Sequence, residues 1–155
     1  MTQPANDDAI GTRDLLTVAV NGQSFGLPVL AVQDVLGPQR ITRIPLAPRE
    51  IMGALNLRGR IVTAVDLRRR LSMPDRVPDA QHMSVVVDHH GEYYSVIVDN
   101  VGEVLSLSPE AFEHNPTTLD PRLKAVADGV YRLNKDILVV LDVRRLLEIT
   151  REKAA

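Results

Sequence analysis

Apolar residues alternate with polar or small ones along most of this chain. The repeat is the two-residue period of a half-buried strand rather than the 3.6-residue period of a helix. Leu16, Val18 and Val20 alternate, then Asn21-Gly22 supplies a strong hairpin turn. Phe25, Leu27 and Val29 read as the returning strand. Pro28 belongs at an edge or bulge, because it has no donor to give a ladder. Ile41 and Ile44 predict a short strand stopped by Pro45, and Pro45 to Pro48 a loop. Gly53 to Arg58 and Arg60 to Val65 predict a second hairpin, with Gly59 as the turn residue because glycine takes positive φ at little cost. Asp66 is placed to cap a short helix from Leu67 to Leu71, and Met73 to Ala80, with two prolines, reads as a linker.

The pattern then repeats. Gly22 to Val29 and Val32 to Leu36 recur 69 positions later as Gly91 to Val98 and Val101 to Leu105. Gly53, Leu57, Ile61, Val62, Asp66, Leu67, Arg68 and Arg69 recur 76 positions later as Gly129, Leu133, Ile137, Leu138, Asp142, Val143, Arg144 and Arg145. Val85 to Val87 start the second copy, His90-Gly91 turns it, and Tyr94, Val96 and Val98 return. Ser108-Pro109-Glu110 predicts a turn of helix, residues 113–122 an insertion, and Ala127 to Leu133 with Asp136 to Leu141 a last hairpin tipped by Asn134-Lys135. Asp142 caps a final helix to about Arg151. Short strands, many valines and frequent turn residues predict an all-β fold of two small barrels with a short helix after each. The first barrel is expected over about 15–72, the second over about 82–141 and the helix over 142–151, all one domain after a disordered tail at 1–14.

Composition narrows the function. A unit near 60 residues buries only about 60% of its unfolded surface, so the two copies are expected to share an interface. A net charge of −2 gives no general pull toward nucleic acid or anionic lipid. The chain has no cysteine, which rules out disulfides and thiolate metal sites. No apolar run approaches the roughly 20 residues of a membrane helix.

Candidate chemistry is thin. His89 and His90 are neighbours on a strand and point to opposite faces, so an exposed turn suits them better than a metal site, and no metal is expected. Asp66 and Asp142 occupy the same place in the two copies, which suits helix capping better than acid–base catalysis. No nucleophile elbow, phosphate loop or dinucleotide fingerprint is present. Arg68-Arg69-Arg70 reads as a solvated, dipole-complementing face, since Arg144-Arg145 matches it. With two Phe, three Tyr and no Trp, stacking platforms for nucleic acid are scarce. Arg58 stands apart. The twin hairpin carries Asn134 there, so the turn does not need arginine, though a lone tip arginine is ordinarily just solvated.

Ile41-Thr42-Arg43-Ile44-Pro45, followed by Ile51-Met52-Gly53-Ala54-Leu55-Asn56-Leu57-Arg58-Gly59-Arg60 and a valine-rich strand ending at Asp66-Leu67-Arg68, resembles the CheW-like domain of bacterial chemotaxis coupling proteins. The likeness covers about residues 14–149. It implies two packed five-stranded SH3-like barrels, no catalysis and no cofactor. It also implies a cytoplasmic adaptor at membrane-associated receptor arrays, bridging chemoreceptor tips to the regulatory domain of the histidine kinase CheA. A chain of 155 residues leaves no room for a kinase or receiver segment, so a free-standing adaptor is expected. By the same resemblance Arg58, with Asn56 and Leu57 of its Asn-Leu-Arg-Gly run, contacts the receptor at a groove between the barrels. Val32 and Asp34 join them, Asp34 standing where the family has Glu. Thr63-Ala64-Val65 departs from the usual Pro-Val. The kinase surface is expected on barrel faces away from that groove. The alternatives are a coupling protein of a pilus or surface-signalling pathway and, more remotely, a small nucleic-acid-binding barrel.

Overall fold

The computed structural model describes residues 12–114, 117–134 and 136–154. Among the described residues eleven strands form two sheets. They are β1 (Arg13–Val20), β2 (Gln23–Pro28), β3 (Val32–Leu36), β4 (Ile51–Leu57), β5 (Arg60–Asp66), β6 (Met83–His89), β7 (Glu92–Val98), β8 (Asn100–Leu107), β9 (Phe112–Glu113), β10 (Ala127–Leu133) and β11 (Asp136–Leu141). The helices are short: α1 (Leu67–Arg70), α2 (Pro121–Lys124) and α3 (Val143–Ala154). The first sheet runs β8-β1-β2-β11-β10-β9 and the second β3-β6-β7-β5-β4.

The strand orders carry the main correction to the sequence reading. The expected break near 72–82 does not separate the sheets. Each sheet joins the first hairpin of one copy to the later strands of the other: β1–β2 lies with β8, β10 and β11, and β6–β7 lies with β3, β4 and β5. The joints match in detail. β2 runs parallel to β11 with Phe25 beside Val139, and β7 runs parallel to β5 with Tyr94 beside Thr63, which are the same two repeat positions. A repeat in sequence fixes which strands are alike but not which copy's hairpin a strand pairs with.

Shared glycines have a steric reason. A Cβ on Gly53 would overlap the carbonyl oxygen of Thr42, and one on Gly129 would overlap that of Glu113. Both glycines follow a register shift in their ladders. The strand expected at Ile41–Ile44 shrinks to one bridge, Thr42 with Ala54, whose counterpart is the two-residue β9. That bridge accounts for the sheets having five and six strands.

Leu16, Val18, Val20, Phe25 and Leu27 meet Val65, Val85, Val87, Val96 and Val98 in one large core between the sheets. Each sheet keeps a smaller cluster of its own: Leu15, Tyr131, Leu138 and Val140 in the first, and Leu55, Val62, Ala64 and Ile97 in the second. Alternation along β1 splits Leu15 from Leu16 in this way.

Residues 1–11 of the expected tail lie outside the described residues, and Arg13 and Asp14 belong to β1. Two polar residues are held in a strand here because the ladder to Leu107 and Ser106 and an Arg13–Asp128 pair at 3.2 Å support them. The second hairpin's Lys135 is likewise outside the described residues.

Candidate functional site

In the second sheet β3 and β4 are the two edges, and no ladder joins them. Side chains span the gap instead. Arg58, at the β4–β5 tip, donates from Nη2 to Asp34 Oδ2 on β3 at 3.0 Å. Asp34 Oδ1 accepts from the Val35 amide at 2.9 Å, so both oxygens are engaged and the carboxylate is fixed toward the tip. Arg58 remains 75% exposed and Asp34 27%. The guanidinium is held through one terminal nitrogen, and the rest of its donor fork faces solvent.

The tip itself is built for this. Asn56 Oδ1 accepts from the Gly59 amide at 2.8 Å and closes the turn. Arg58 sits at φ 52 and Gly59 at φ 84. Left-handed backbone suits Asn far better than Arg, and Asn134 is what the twin tip carries. The turn conformation by itself does not call for an arginine there.

Asp34, Asn56 and Arg58 are therefore brought together at one end of the second sheet. Leu57 lies beneath them, packed on that sheet's own cluster. Val32 is not part of the group. The ladder slips between Val32 and Asp34, and Val32 packs against the large shared core.

Sequence reasoning missed three neighbours. Arg60 lies with its guanidinium carbon 4.0 Å from the Tyr93 ring centroid and donates to the Gly91 carbonyl at 3.4 Å. The Tyr93 hydroxyl donates to Gln33 Oε1 at 3.5 Å. The comparison of copies held the signal, since Arg60 answers to Asp136 and Tyr93 to Ser24.

The two aspartates do cap helices. Asp66 Oδ1 accepts from the Arg68 amide at 3.0 Å, and Asp142 Oδ1 from the Arg145 amide at 3.2 Å. The Arg68–Arg70 run departs from the solvated face expected. Arg68 grips Asp99 through two bonds, at 3.1 and 2.7 Å, and Arg70 donates to the Leu146 and Arg145 carbonyls of α3 at 2.9 and 3.1 Å. Arg76, from the linker, adds a bond to Asp99 at 3.0 Å, and the Asn21 amide another at 2.8 Å. Burial pushes the Asp99 carboxyl up, but Arg68, the Asn21 amide and Arg76 together outweigh it and hold the group down at about 2. These arginines fasten the halves together. His89 also departs from expectation. It is buried beside Tyr94, whereas His90 is exposed at the turn. The strand alternation that separates the two rings sends one of them inward.

Two β-sheets of exchanged strands around one core define a small all-β module of the paired SH3-like kind. The chain belongs to the CheW-like domain family, whose model matches residues 14–151. It is similar to the chemotaxis protein CheW of Rhizobium meliloti, 26% identical over the full length of both chains, and to that of Klebsiella aerogenes, 28% identical over 87% of this chain and 81% of that one. Among solved structures it resembles the scaffolding protein TtCheW of Thermoanaerobacter tengcongensis, with a TM-score of 0.79 and 27% identity over 88% of this chain and 93% of that one.

Proposed function

We infer that this protein is a non-enzymatic adaptor of a chemotaxis system, coupling chemoreceptor tips to the regulatory domain of a CheA-type histidine kinase. It would act in the cytoplasm, at membrane-associated receptor arrays. Family membership supports the adaptor role, and the Arg58 tip supports the receptor contact. The observation that carries the reading is an exposed arginine, in backbone that disfavours it, braced by Asp34 and absent from the twin tip. Interfaces draw most of their affinity from a few such residues, with arginine enriched among them. A fork of fixed donors suits carboxylates and carbonyls on a partner in a way that lysine does not. The leading contacts are Arg58, Asp34, Asn56 and Leu57, and Val32 contributes through the core that seats β3.

The test is affinity for a receptor cytoplasmic-tip fragment by surface plasmon resonance. Arg58→Ala is expected to weaken binding about tenfold or more, equal to at least about 1.4 kcal/mol. Its effect on unfolding should stay within about 1 kcal/mol, because the lost ion pair is exposed. Co-purification with the kinase regulatory domain should persist. Unchanged receptor affinity in the folded variant would overturn the reading.

A further inference from the structure

We propose that Arg60, stacked on Tyr93, is the second guanidinium of a two-point surface that recognises carboxylates on the partner docking at the Arg58 tip. The proposal rests on the receptor-contact reading above and extends it to the partner's chemistry.

Four observations carry it. Arg58 and Arg60 flank Gly59, so a single turn presents both cations. Both are exposed, and both are braced toward β3: Arg58 directly by Asp34, and Arg60 through the Tyr93 ring and the Tyr93–Gln33 bond. Neither brace is shared by the twin copy, where Asn134, Asp136 and Ser24 stand in place of Arg58, Arg60 and Tyr93. A residue needed only to cover the mouth of a barrel should recur at the other barrel; these do not. Finally, stacking leaves the in-plane N–H edge of a guanidinium available while fixing its plane, which is the arrangement that suits bidentate bonding to a carboxylate.

The Arg60 guanidinium spends one donor on the Gly91 carbonyl, at the long distance of 3.4 Å. A partner carboxylate can displace that bond at little cost. The Arg58–Asp34 pair is a single bond, so a second carboxylate can approach Arg58 without breaking the brace. The surface fits a partner that places two acidic side chains across the turn.

The experiment measures affinity for the same receptor-tip fragment across a salt series, using full-length protein. Arg60→Gln is expected to weaken binding three- to tenfold and to flatten the salt dependence. Arg60→Lys should recover only part of the loss, because it restores charge but not the fork. Thermal unfolding of each variant identifies any that fails to fold, and Arg60→Lys then serves as the informative variant. Full affinity for both Arg60 variants, with Arg58→Ala still impaired, would overturn this proposal and leave the adaptor reading standing. Full affinity for Arg58→Ala as well would overturn both. If Arg60→Gln instead abolishes retention on heparin and spares the receptor fragment, the surface reads phosphate-rich polymers and the proposal falls.

Discussion

Replacing Asp99 by Asn should cost this fold more than any exposed ion pair could. The carboxylate receives two bonds from Arg68, one from Arg76 and one from the Asn21 amide, tying α1, the linker and the β1–β2 turn to the end of β7. Arg68 and Arg76 are only 14% and 9% exposed, and Asp99 19%. Its carboxyl is held at about 2 against an ordinary 3.8, and each unit of such a shift is worth about 1.4 kcal/mol. Solvent still reaches the group, which trims the direct electrostatic loss to about 1–2 kcal/mol. The variant also removes the main partner of two largely buried guanidiniums, leaving Arg68 with the Pro74 carbonyl and Arg76 with Asp66, so the whole cost should be about 2–3 kcal/mol. For a chain of this length that is a fall in Tm of roughly 5–10 °C. The sign with pH follows from a depressed carboxylate. Its contribution is full above about pH 4 and disappears as pH falls through about 2, where the wild-type group is protonated too. Urea unfolding of both proteins from pH 7 to pH 2 checks this. The stability gap should be widest at pH 7 and close toward pH 2. A gap below 0.5 kcal/mol at pH 7, or one that stays constant down to pH 2, would refute the reasoning.

Tyr131→Phe should be neutral or stabilising by up to about 1 kcal/mol, because its hydroxyl is fully buried with no hydrogen-bond partner among the described residues; a clear loss in urea unfolding would mean that the oxygen has a partner, such as a buried water. Cutting the chain within residues 73–80 should give halves that do not fold alone but restore a native circular dichroism spectrum when mixed, since each sheet takes its strands from both; two independently folded halves would contradict the exchange.

The local elements were legible because turn and cap chemistry is local. Asn21-Gly22 adopts the paired positive-φ turn that its dipeptide favours, Arg58-Gly59 and His90-Gly91 adopt the same turn with glycine at the second position, and both aspartates cap where expected. The exchange was not legible. A hairpin with the right faces pairs equally well with its own copy or with the other, and only the length and path of the connections decide. The separation of Val32 from the tip group was not legible for a related reason, since a register slip in β3 changes which face each side chain takes. Arg68 and Arg70 looked solvated because their partners, Asp99 and the α3 carbonyls, lie 31 and 75–76 residues away.

The differences between the copies bear on the contact proposed for the tip. The position of Asp99 in the second copy is Leu30 in the first, which is fully exposed, so the ionic knot forms at one joint only. That joint lies at the base of the β4–β5 hairpin, where Asp66 ends β5 and Arg68 begins to grip. The same hairpin is tied at its tip by Arg58 to Asp34. Bound at both ends, it presents its arginines with little freedom left to lose on docking, and the entropy of ordering long side chains is a main cost of association. The twin hairpin ends in Asn134 and Asp136, its exposed Arg132 pairs with Glu113 on β9, and the Asp99 knot is not at its base. The duplicated fold thus supplies the rigidity twice, and the unshared polar residues direct it to one end of one sheet.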